Sequence, residues 1–515
     1  MKRILAVILS AVLMVCLFSA CENKDTSSAN NTDIYGYEGQ YQGFETETSQ
    51  TDKNDNTTTN VTSKTTVSGS SNMNESSKTT STSNNSSNAY VDPNDIKGEA
   101  YVSPYSLPDY NINVENLREF EQENRCIKVV DEATVNDYTT YVGKLLANGF
   151  SKYDETKMGQ SQFTSLTNKT TFVSVAFTGE DNVLKVISEP LGDLYPRKQD
   201  NNYTEKNMQS LFTGLKNQNR PIYSGMGFII RLSDGRFIII DGGGGDYNHI
   251  DSNNMLKVLK EQAPKGTEKP VIAAWIFTHA HNDHIGAFNA FTIDFKDKVI
   301  IESFYYNFPP VKVIRDKTTN FSHDEYYSQT SFLDCVQKYP GAKFIRPHAG
   351  EKIYIGNAVI DVLFSYEHLF PFNLEDGTIG DFNATSLIFK INIGGQSMLI
   401  TGDATNDAMY FVQNNFGSFA QSELLQMSHH GQFGSRNFYS LVNPTYAILP
   451  LSHVDTNRMS KIDANRWLAS SSKLRQVITF WGSNVTIPLP YTPTDDQIND
   501  RIPNEHTIYH NYPLH

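Results

Sequence analysis

The sequence predicts an α/β fold for residues 203–492, in which two mixed sheets are covered by helices. Apolar runs such as 271–277 and 358–364 are nearly continuous, which is typical of strands buried on both faces. A hairpin turn at 233–236 joins two further apolar runs. Amphipathic segments between the apolar runs predict helices at about 252–263, 324–339, 405–416 and 461–473. Strands alternating with helices and hairpins indicate layered sheets with helical outer faces.

The remaining strands of this region are predicted from short apolar runs bounded by turn residues. They cover 227–232, 237–240, 298–301, 386–393, 397–401, 424–427, 446–449 and 477–480.

The first twenty residues are predicted to be a secretory signal peptide. Lys2 and Arg3 precede an apolar run of 15 residues, which is shorter than the roughly 20 residues of a membrane span. Small residues then lead into Cys21, so the segment also resembles a bacterial lipoprotein signal, although Phe18 stands where that family usually has Leu. The resemblance implies that Cys21 is acylated and anchors the protein at the extracellular face of a bacterial membrane. An ordinary signal peptide with a chance Cys is the alternative.

Three other segments flank or precede the main domain. Residues 21–95 are predicted to be a disordered linker, because Ser, Thr and Asn fill 28 of the 40 positions from Thr51 to Tyr90. Residues 96–200 predict a small α+β accessory domain, with strands at 126–130, 171–177 and 183–187 and a helix at 135–146. Residues 493–515 form a polar tail.

Composition excludes some classes of protein. The formal net charge of −14 argues against a generally basic nucleic-acid binder. Four Cys are too few for a disulfide-built scaffold. Cys126 and Cys335 are expected to be two buried thiols, with a disulfide between them as the alternative.

The chemistry is predicted at a cluster that follows the strand 271–277. His279, His281, Asp283 and His284 fall within six residues. Residues two apart at a strand end project to the same side, so His279 and His281 can share one ion. Asp283 and His284 come after the chain bends and can reach a second ion. Imidazole and carboxylate suit zinc, manganese or iron.

The cluster resembles the signature of the metallo-β-lactamase fold superfamily, His-x-His-x-Asp-His after a strand, and this implies an αββα sandwich. Asp241 at a strand end resembles the family's early Asp, which orients the His loop. Asp403 resembles the bridging Asp. His429-His430-Gly431 and the run 383–387 (Asn-Ala-Thr-Ser-Leu) resemble a subgroup that includes competence-type DNA-uptake nuclease domains and surface choline-phosphate esterases.

The resemblance implies two divalent ions, zinc in the first place with manganese as an alternative. One ion would have His279, His281 and Asp403; the other Asp283, His284, Asp403 and His429. His430 is then the candidate for donating a proton or holding a phosphoryl oxygen, although the roles of the paired His can be reversed. His453 is a second choice for the second ion. Many superfamily members have another His before the bridging Asp, and His323, His348 and His368 do not match its context.

The function implied is hydrolysis of phosphodiester or phosphocholine-type bonds by attack of a metal-activated water, with Asp283 and His430 as the catalytic candidates. The substrate would be a small molecule or a cell-envelope phosphoester. The alternatives are a lactone, thioester or amide hydrolase of the same fold, an extracellular nuclease, which the acidic charge disfavours, and a binding lipoprotein on a metal-free scaffold. Tyr305, Tyr306 and Asn307 follow a strand and either line the cleft or belong to core and rim, and the second is the preferred interpretation.

Overall fold

The computed structural model describes residues 107, 117–122, 125–199, 203–216, 225–244, 249–310, 320–369, 382–451, 462–480, 483–494 and 498. All of them belong to the compact unit Ser86–His515. The predicted signal peptide, the predicted linker and most of the predicted tail lie outside the described residues. Within the described part of the chain, no helix is long and apolar enough to cross a membrane.

A small antiparallel sheet is formed by the N-terminal part of the described chain. Its strands are β1 (Leu117–Gln122), β2 (Arg125–Val130), β3 (Ser151–Met158), β4 (Ser161–Thr167), β5 (Thr171–Thr178) and β6 (Val183–Pro190). Their order is β1-β2-β6-β5-β4-β3. Helix α1 (Val135–Ala147) packs on one face, and Thr134 begins it with a capping box. Strands β3 and β4 were not predicted, because the exposed, charged residues of β3 hide its alternation.

The first sheet of the main region, called sheet I, carries the His-rich segment. Its strands are β7 (Ser210–Gly214), β8 (Gly227–Arg231), β9 (Phe237–Asp241), β10 (Val271–Ile276), β11 (Ile300–Ile301), β12 (Ser303–Tyr305) and β13 (Lys343–Ile345). Strand β10 is parallel to both β9 and β12. The carboxyl ends of these strands therefore meet at one edge of the sheet.

The second sheet, called sheet II, faces sheet I. Its strands are β14 (Lys352–Ile355), β15 (Ala358–Phe364), β16 (Ile388–Ile393), β17 (Gln396–Ile400), β18 (Leu424–Gln426), β19 (Tyr446–Leu449) and β20 (Gln476–Thr479), hydrogen-bonded in that order. Strands β17 to β20 run parallel. The last strand, β21 (Val485–Leu489), returns to pair with β7.

Helices cover the outer faces of both sheets, as the sequence predicted. Helices α2 (Ile250–Gln262), α3 (Asn282–Phe295) and α4 (Asn320–Val336) lie on sheet I, and α5 (Asn406–Phe416), α6 (Arg436–Val442) and α7 (Asp463–Ser470) lie on sheet II. A core of residues such as Ile238, Ile276, Ile391 and Ile448 fills the space between the sheets. This is the αββα sandwich, and the apolar runs predicted its strands because both of their faces are covered.

The small sheet shares a core with the main region. Ile127, Phe163 and Ile187 of the small sheet belong to the same buried cluster as Phe411 and Phe416 of α5. The rings of Phe163 and Phe416 stack with centroids 5.8 Å apart. Because a fully buried Phe contributes about 1.5–3 kcal/mol, these contacts bind the sheet firmly to the sandwich. The sequence predicts two separate domains here, because periodicity alone does not indicate a shared core.

The two cysteines in the described chain are buried and are not joined in a disulfide. The prediction of two buried thiols is confirmed for Cys126 and Cys335. Each fills space in a packed interior, as free Cys commonly does.

Candidate metal centre

Asp241 organises the edge of sheet I where the His-rich segment begins. It is fully buried at the end of β9 with a positive φ of 54°. Its Oδ1 accepts a hydrogen bond from the Thr278 amide at 2.7 Å, and its Oδ2 accepts from the Thr278 hydroxyl at 2.8 Å. The same Oδ2 lies 2.7 Å from His284 Nδ1. Because Nδ1–H donates to this carboxylate, His284 presents Nε2 to the centre. Asp241 thus has the orienting role predicted for it.

The His-rich segment continues from β10 into the first turn of α3. His279 Nε2 and His281 Nδ1 lie 3.0 Å apart. Two imidazole nitrogens at this distance suit a shared ion, since ligands about 2 Å from a tetrahedral ion are about 3.3 Å apart. Helix α3 begins at Asn282, with Asp283 in its first turn. This helix was not predicted, because its first residues were interpreted only as a bend that carries ligands.

Sheet II contributes Asp403, just beyond β17. Gly402 before it has φ +54°, and a Cβ there would lie 2.8 Å from Thr278 Cβ and 3.1 Å from Ser386 Cβ. Only glycine fits both this conformation and this approach between the sheets. The Asp403 amide donates to the Ser386 hydroxyl at 3.0 Å. Ser386 lies in the Asn-Ala-Thr-Ser-Leu run, so this run supports the acidic residue.

His429 and His430 follow β18 with consecutive left-handed backbone angles, φ 49° and 52°. Such angles are uncommon for residues other than glycine. They turn the two side chains to different surroundings. His430 is buried, and its Nδ1 lies 3.1 Å from the Pro450 carbonyl oxygen, which leaves Nε2 facing the centre. The His429 side chain is 18% exposed.

Four side chains from three separate segments of the chain converge. Asp283, His284, Asp403 and His430 each offer a ligand atom, and these atoms lie within 4.8 Å of one another. His284 Nε2 is 3.1 Å from Asp403 Oδ1. His430 Nε2 is 3.2 Å from Asp283 Oδ2 and 3.4 Å from Asp403 Oδ2. Two imidazoles and two carboxylates at such distances form a set suited to a divalent transition metal.

Three buried atoms of this group form no hydrogen bond among the described residues, although they contact one another or Asp283 as ion pairs: His284 Nε2, His430 Nε2 and Asp403 Oδ1. Leaving a buried polar atom unpaired costs about 1–3 kcal/mol. A divalent ion at these atoms would satisfy all three. The residues present therefore fit a metal ion, which is one of the groups that explains unpaired buried polar atoms in native proteins.

The charges of the group are strongly coupled. Burial opposes ionisation of Asp403, but His284, His430 and His429 hold the pKa of its carboxyl well below its usual value. Burial would lower the pKa of His430, yet Asp403 and Asp283 raise it to about 9. The pKa of His279 lies well below its usual value because of burial and the neighbouring His284 and His281. A neutral imidazole at His279 is the form that binds metal.

The rings connect the two predicted ligand groups. The His279 ring centroid lies 4.7 Å from that of His281 and 4.2 Å from that of His284. The His284 centroid lies 5.2 Å from that of His430. The structure therefore places His279, His281, Asp283, His284 and Asp403 beside one another at one edge of the sandwich. His429 is adjacent, with Nε2 3.7 Å from Asp403 Oδ2.

The paired histidines differ from the preferred prediction. The preferred prediction has His429 as the ligand and His430 as the proton donor, whereas His430 is the one in the four-residue group. The backbone conformation and the Pro450 carbonyl determine this choice, and neither is visible in the sequence. A residue not predicted for the site is Phe433, which is 38% exposed and stacks on His429 with centroids 5.0 Å apart.

Other candidates have different surroundings. Tyr305, Tyr306 and Asn307 are buried, so the core interpretation of these three is confirmed. A Cβ at Gly242 would lie 2.9 Å from the Phe288 amide, so this glycine allows the loop after β9 to approach α3. His348 pairs with Glu189 and Glu367 in a separate buried group. His453 lies outside the described residues, and nothing is described of the His323 side chain.

The fold and the site define a class: an αββα protein with a histidine- and aspartate-rich centre, suited to divalent metal, at the sheet edge. Residues 224–411 match the family model of the Metallo-beta-lactamase superfamily. This match confirms the family resemblance predicted from the sequence. Proteins with this fold bind divalent metals, often two, and are commonly hydrolases or related metalloenzymes.

Three solved structures with similarity to the chain have low sequence identity to it. The metallo-beta-lactamase fold protein YhfI from Bacillus subtilis is 12% identical, with a TM-score of 0.34 and coverage of 55% of this chain and 100% of that chain. Unliganded yeast PDE1 is 13% identical, with a TM-score of 0.34 and the same two coverages.

CmlA, a diiron beta-hydroxylase from Streptomyces venezuelae, is 12% identical, with a TM-score of 0.31 and coverage of 59% of this chain and 55% of that chain. Comparison with curated proteins finds no match.

Proposed function

We propose that the protein is a dinuclear metal-dependent hydrolase that acts on phosphodiester or phosphocholine-type bonds. The observation that carries the proposal is the convergence of Asp283, His284, Asp403 and His430, whose ligand atoms lie within 4.8 Å of one another. Three buried atoms of this group form no hydrogen bond, and a bound ion would satisfy them.

The ligands divide into two sets that share Asp403. His279 and His281 would hold the first ion, and Asp283, His284 and His430 would hold the second. Zinc is our preferred metal and manganese the alternative. When bound, two such ions supply an activated water and neutralise negative charge on the substrate. Asp241, Ser386 and the Pro450 carbonyl fix the orientation of His284, Asp403 and His430, respectively.

His429 is the residue we assign to the leaving group. It is adjacent to Asp403 but more exposed than His430, so it can contact a substrate that enters from solvent. An imidazole in this position donates a proton to the departing oxygen or holds a phosphoryl oxygen. Phe433, stacked on His429, provides an apolar rim for the same side of the substrate.

The charge of the centre favours an anionic substrate. Two divalent ions, two carboxylates and the activated water leave a formal charge near +1. This favours a phosphodiester over the neutral lactone, thioester or amide of the alternative hydrolases. The net charge of −14 disfavours a polyanion such as DNA, which a nuclease would have to attract.

We also propose that Cys21 is acylated and that it holds the protein at the extracellular face of a bacterial membrane. The apolar run that precedes Cys21 supports this location. A Cys21→Ser variant is then expected in the soluble fraction, whereas the parent chain partitions with membranes. Equal partitioning of the two would contradict the anchor without affecting the hydrolase.

The experiment for the hydrolase combines metal analysis with activity. The purified chain is expected to bind about two ions and to cleave bis-p-nitrophenyl phosphate in a chelator-sensitive reaction. The Asp403→Ala variant is expected to lose at least one ion and nearly all activity, because both ligand sets use this residue. Activity only on a lactone panel would replace the phosphodiester by the alternative substrate. Substantially less than one ion per chain would favour a metal-free binding scaffold.

A further inference from the structure

A second, polar cleft lies at the junction between the small sheet and helix α5. It encloses about 700 Å³, within the range of ligand-binding clefts. Its walls are the turn between β3 and β4, the turn between β5 and β6, and the last turns of α5. It is distinct from the metal centre, because Asp403 lies before the start of α5 and the cleft lies at its end. The 11 residues of α5 separate the two by roughly 16 Å.

Packing and hydrogen bonds hold the walls of the cleft together. A Cβ at Gly159 would lie 2.8 Å from the Phe416 carbonyl oxygen, so the first turn packs directly on the end of α5. The Ser161 hydroxyl donates to the Asn415 carbonyl oxygen at 2.9 Å. The Asn415 amide donates to Asp181 Oδ2 at 2.6 Å. These contacts join both turns to the helix and fix the shape of the cleft.

The lining is rich in neutral hydrogen-bonding groups. Gln413 and Asn414 contribute amides that both donate and accept, and Gln160 adds an amide oxygen, since its NH2 group already donates to Glu180. Asn415 is 1% exposed, and its Oδ1 has no hydrogen-bond partner in the described part of the chain. Tyr410 adds a ring that is 64% exposed at the rim. Amides beside an open aromatic ring suit a ligand with many hydroxyl groups and apolar C–H faces.

Charge narrows the class of ligand. Glu180 and Asp181 line the cleft, and the described lining contains no Lys, Arg or His. The carboxyl end of α5 adds a partial negative charge. An anion is therefore disfavoured, in contrast to the metal centre. Both carboxylates already accept a hydrogen bond from an amide, Glu180 from Gln160 and Asp181 from Asn415, which disfavours a cation.

We propose that this cleft binds a neutral oligosaccharide, with Tyr410 stacking on a sugar ring and Asn414 bonding to its hydroxyls. The proposal goes beyond the hydrolase function and does not depend on it. In a hydrolase that acts on the cell envelope, the cleft would bind the glycan of a substrate or of the cell surface, and the metal centre would bind the phosphoester.

The experiment is calorimetric titration of the purified full chain with chitotetraose and with maltotetraose, and separately with spermidine and inorganic phosphate. At least one tetrasaccharide is expected to bind, and phosphate is expected not to bind at the cleft. Tyr410→Ala and Asn414→Ala are expected to weaken saccharide binding at least about tenfold. Tyr327→Ala, which changes an exposed tyrosine on α4, is the matched control and is expected to bind normally.

Thermal unfolding of each variant tests whether the fold is kept. We expect it to be kept, because Tyr410 and Asn414 are not in the buried core. Absence of binding by both tetrasaccharides would overturn the proposal. Binding that survives both cleft substitutions would place the saccharide elsewhere and would also overturn it. Spermidine binding that depends on Tyr410, without saccharide binding, would assign the cleft to a cation instead. None of these readouts requires hydrolysis, so failure of the hydrolase proposal would be seen separately.

Discussion

Arg125 of the small sheet lies 3.6 Å from Glu367 of the main region, measured from Nη1 to Oε1, and both side chains are buried. His348 lies between two carboxylates, 3.1 Å from Glu189 Oε1 and 3.3 Å from Glu367 Oε1. The Asn307 amide donates to Glu367 Oε1 at 2.6 Å. Asn307 and His348 follow β12 and β13, whose carboxyl ends share an edge with the metal-binding segment. This buried network therefore attaches the small sheet beside the metal centre.

Breaking the network is expected to destabilise the whole protein. Arg125→Met would leave Glu367 with less compensation for its buried charge, and loss of one partner of a buried pair costs about 3–5 kcal/mol. Arg118→Met is the matched control, because Arg118 pairs with Asp131 in a largely exposed position, where a pair contributes about 0–1 kcal/mol. Urea unfolding measures the loss of stability in both variants. Similar losses in the two variants would show that the network contributes little.

Glu351 is expected to make the stability of the fold depend on pH. Burial raises the pKa of its carboxyl to about 8, and the nearby His348 only partly opposes this. The folded state thus holds a proton that the unfolded chain releases at a pKa of 4.5. The contribution of Glu351 to the free energy of unfolding is complete below pH 4.5. It is lost between pH 4.5 and 8, by at most about 1.4 kcal/mol per pH unit.

Other groups titrate nearby, so a variant must isolate Glu351. The pKa of Lys185 is lowered to about 7 by burial, which makes stability rise between pH 7 and 10.5. The pKa of His348 is raised to about 10 because Glu189 and Glu367 outweigh burial, and its contribution is lost between pH 6.5 and 10. Glu351→Gln is expected to match the parent near pH 5 and to be more stable at pH 8. Glu119→Gln, at an exposed pair, is the control. Parallel urea-derived curves for parent and Gln variant would contradict the assignment.

Local sequence predicted the parts of the site that depend on local structure. The His-rich segment follows a buried strand, and Asp241 and Asp403 stand at strand ends. Their positions in the chain therefore predict that they lie at the edge where these strands end. The choice between His429 and His430 depends on two left-handed residues and a carbonyl twenty residues away, which no periodicity indicates. The network of Arg125, Glu189, His348 and Glu367 joins four distant segments, and each residue by itself resembles an ordinary polar position.

Phe433 is expected to influence substrate binding more than the chemical step. Its exposed ring stacks on His429 at an interplanar angle of 17°, at the rim of the centre. With bis-p-nitrophenyl phosphate, Phe433→Ala is expected to raise KM about threefold to tenfold with little change in kcat, because an apolar contact made equally in ground and transition states is lost. Ile293→Ala, at an exposed position on α3, is the control. A fall in kcat at constant KM would instead indicate that Phe433 positions His429 for the reaction.

The adjacent histidines allow the sharpest test of the centre, because the proposed ligand and the proposed proton donor are neighbours in the chain. His430 has its Nδ1 engaged by the Pro450 carbonyl and its Nε2 between Asp283 and Asp403, so His430→Ala is expected to reduce metal content and activity together. His429→Ala is expected to keep the metal content of the parent and to lower kcat about 10²–10⁴-fold, which is typical for loss of a general acid. Metal analysis and kinetics on the same preparations separate the two effects. If His429→Ala loses an ion while His430→Ala keeps both, the roles are reversed, and the left-handed pair would have to turn on metal binding to bring His429 inward.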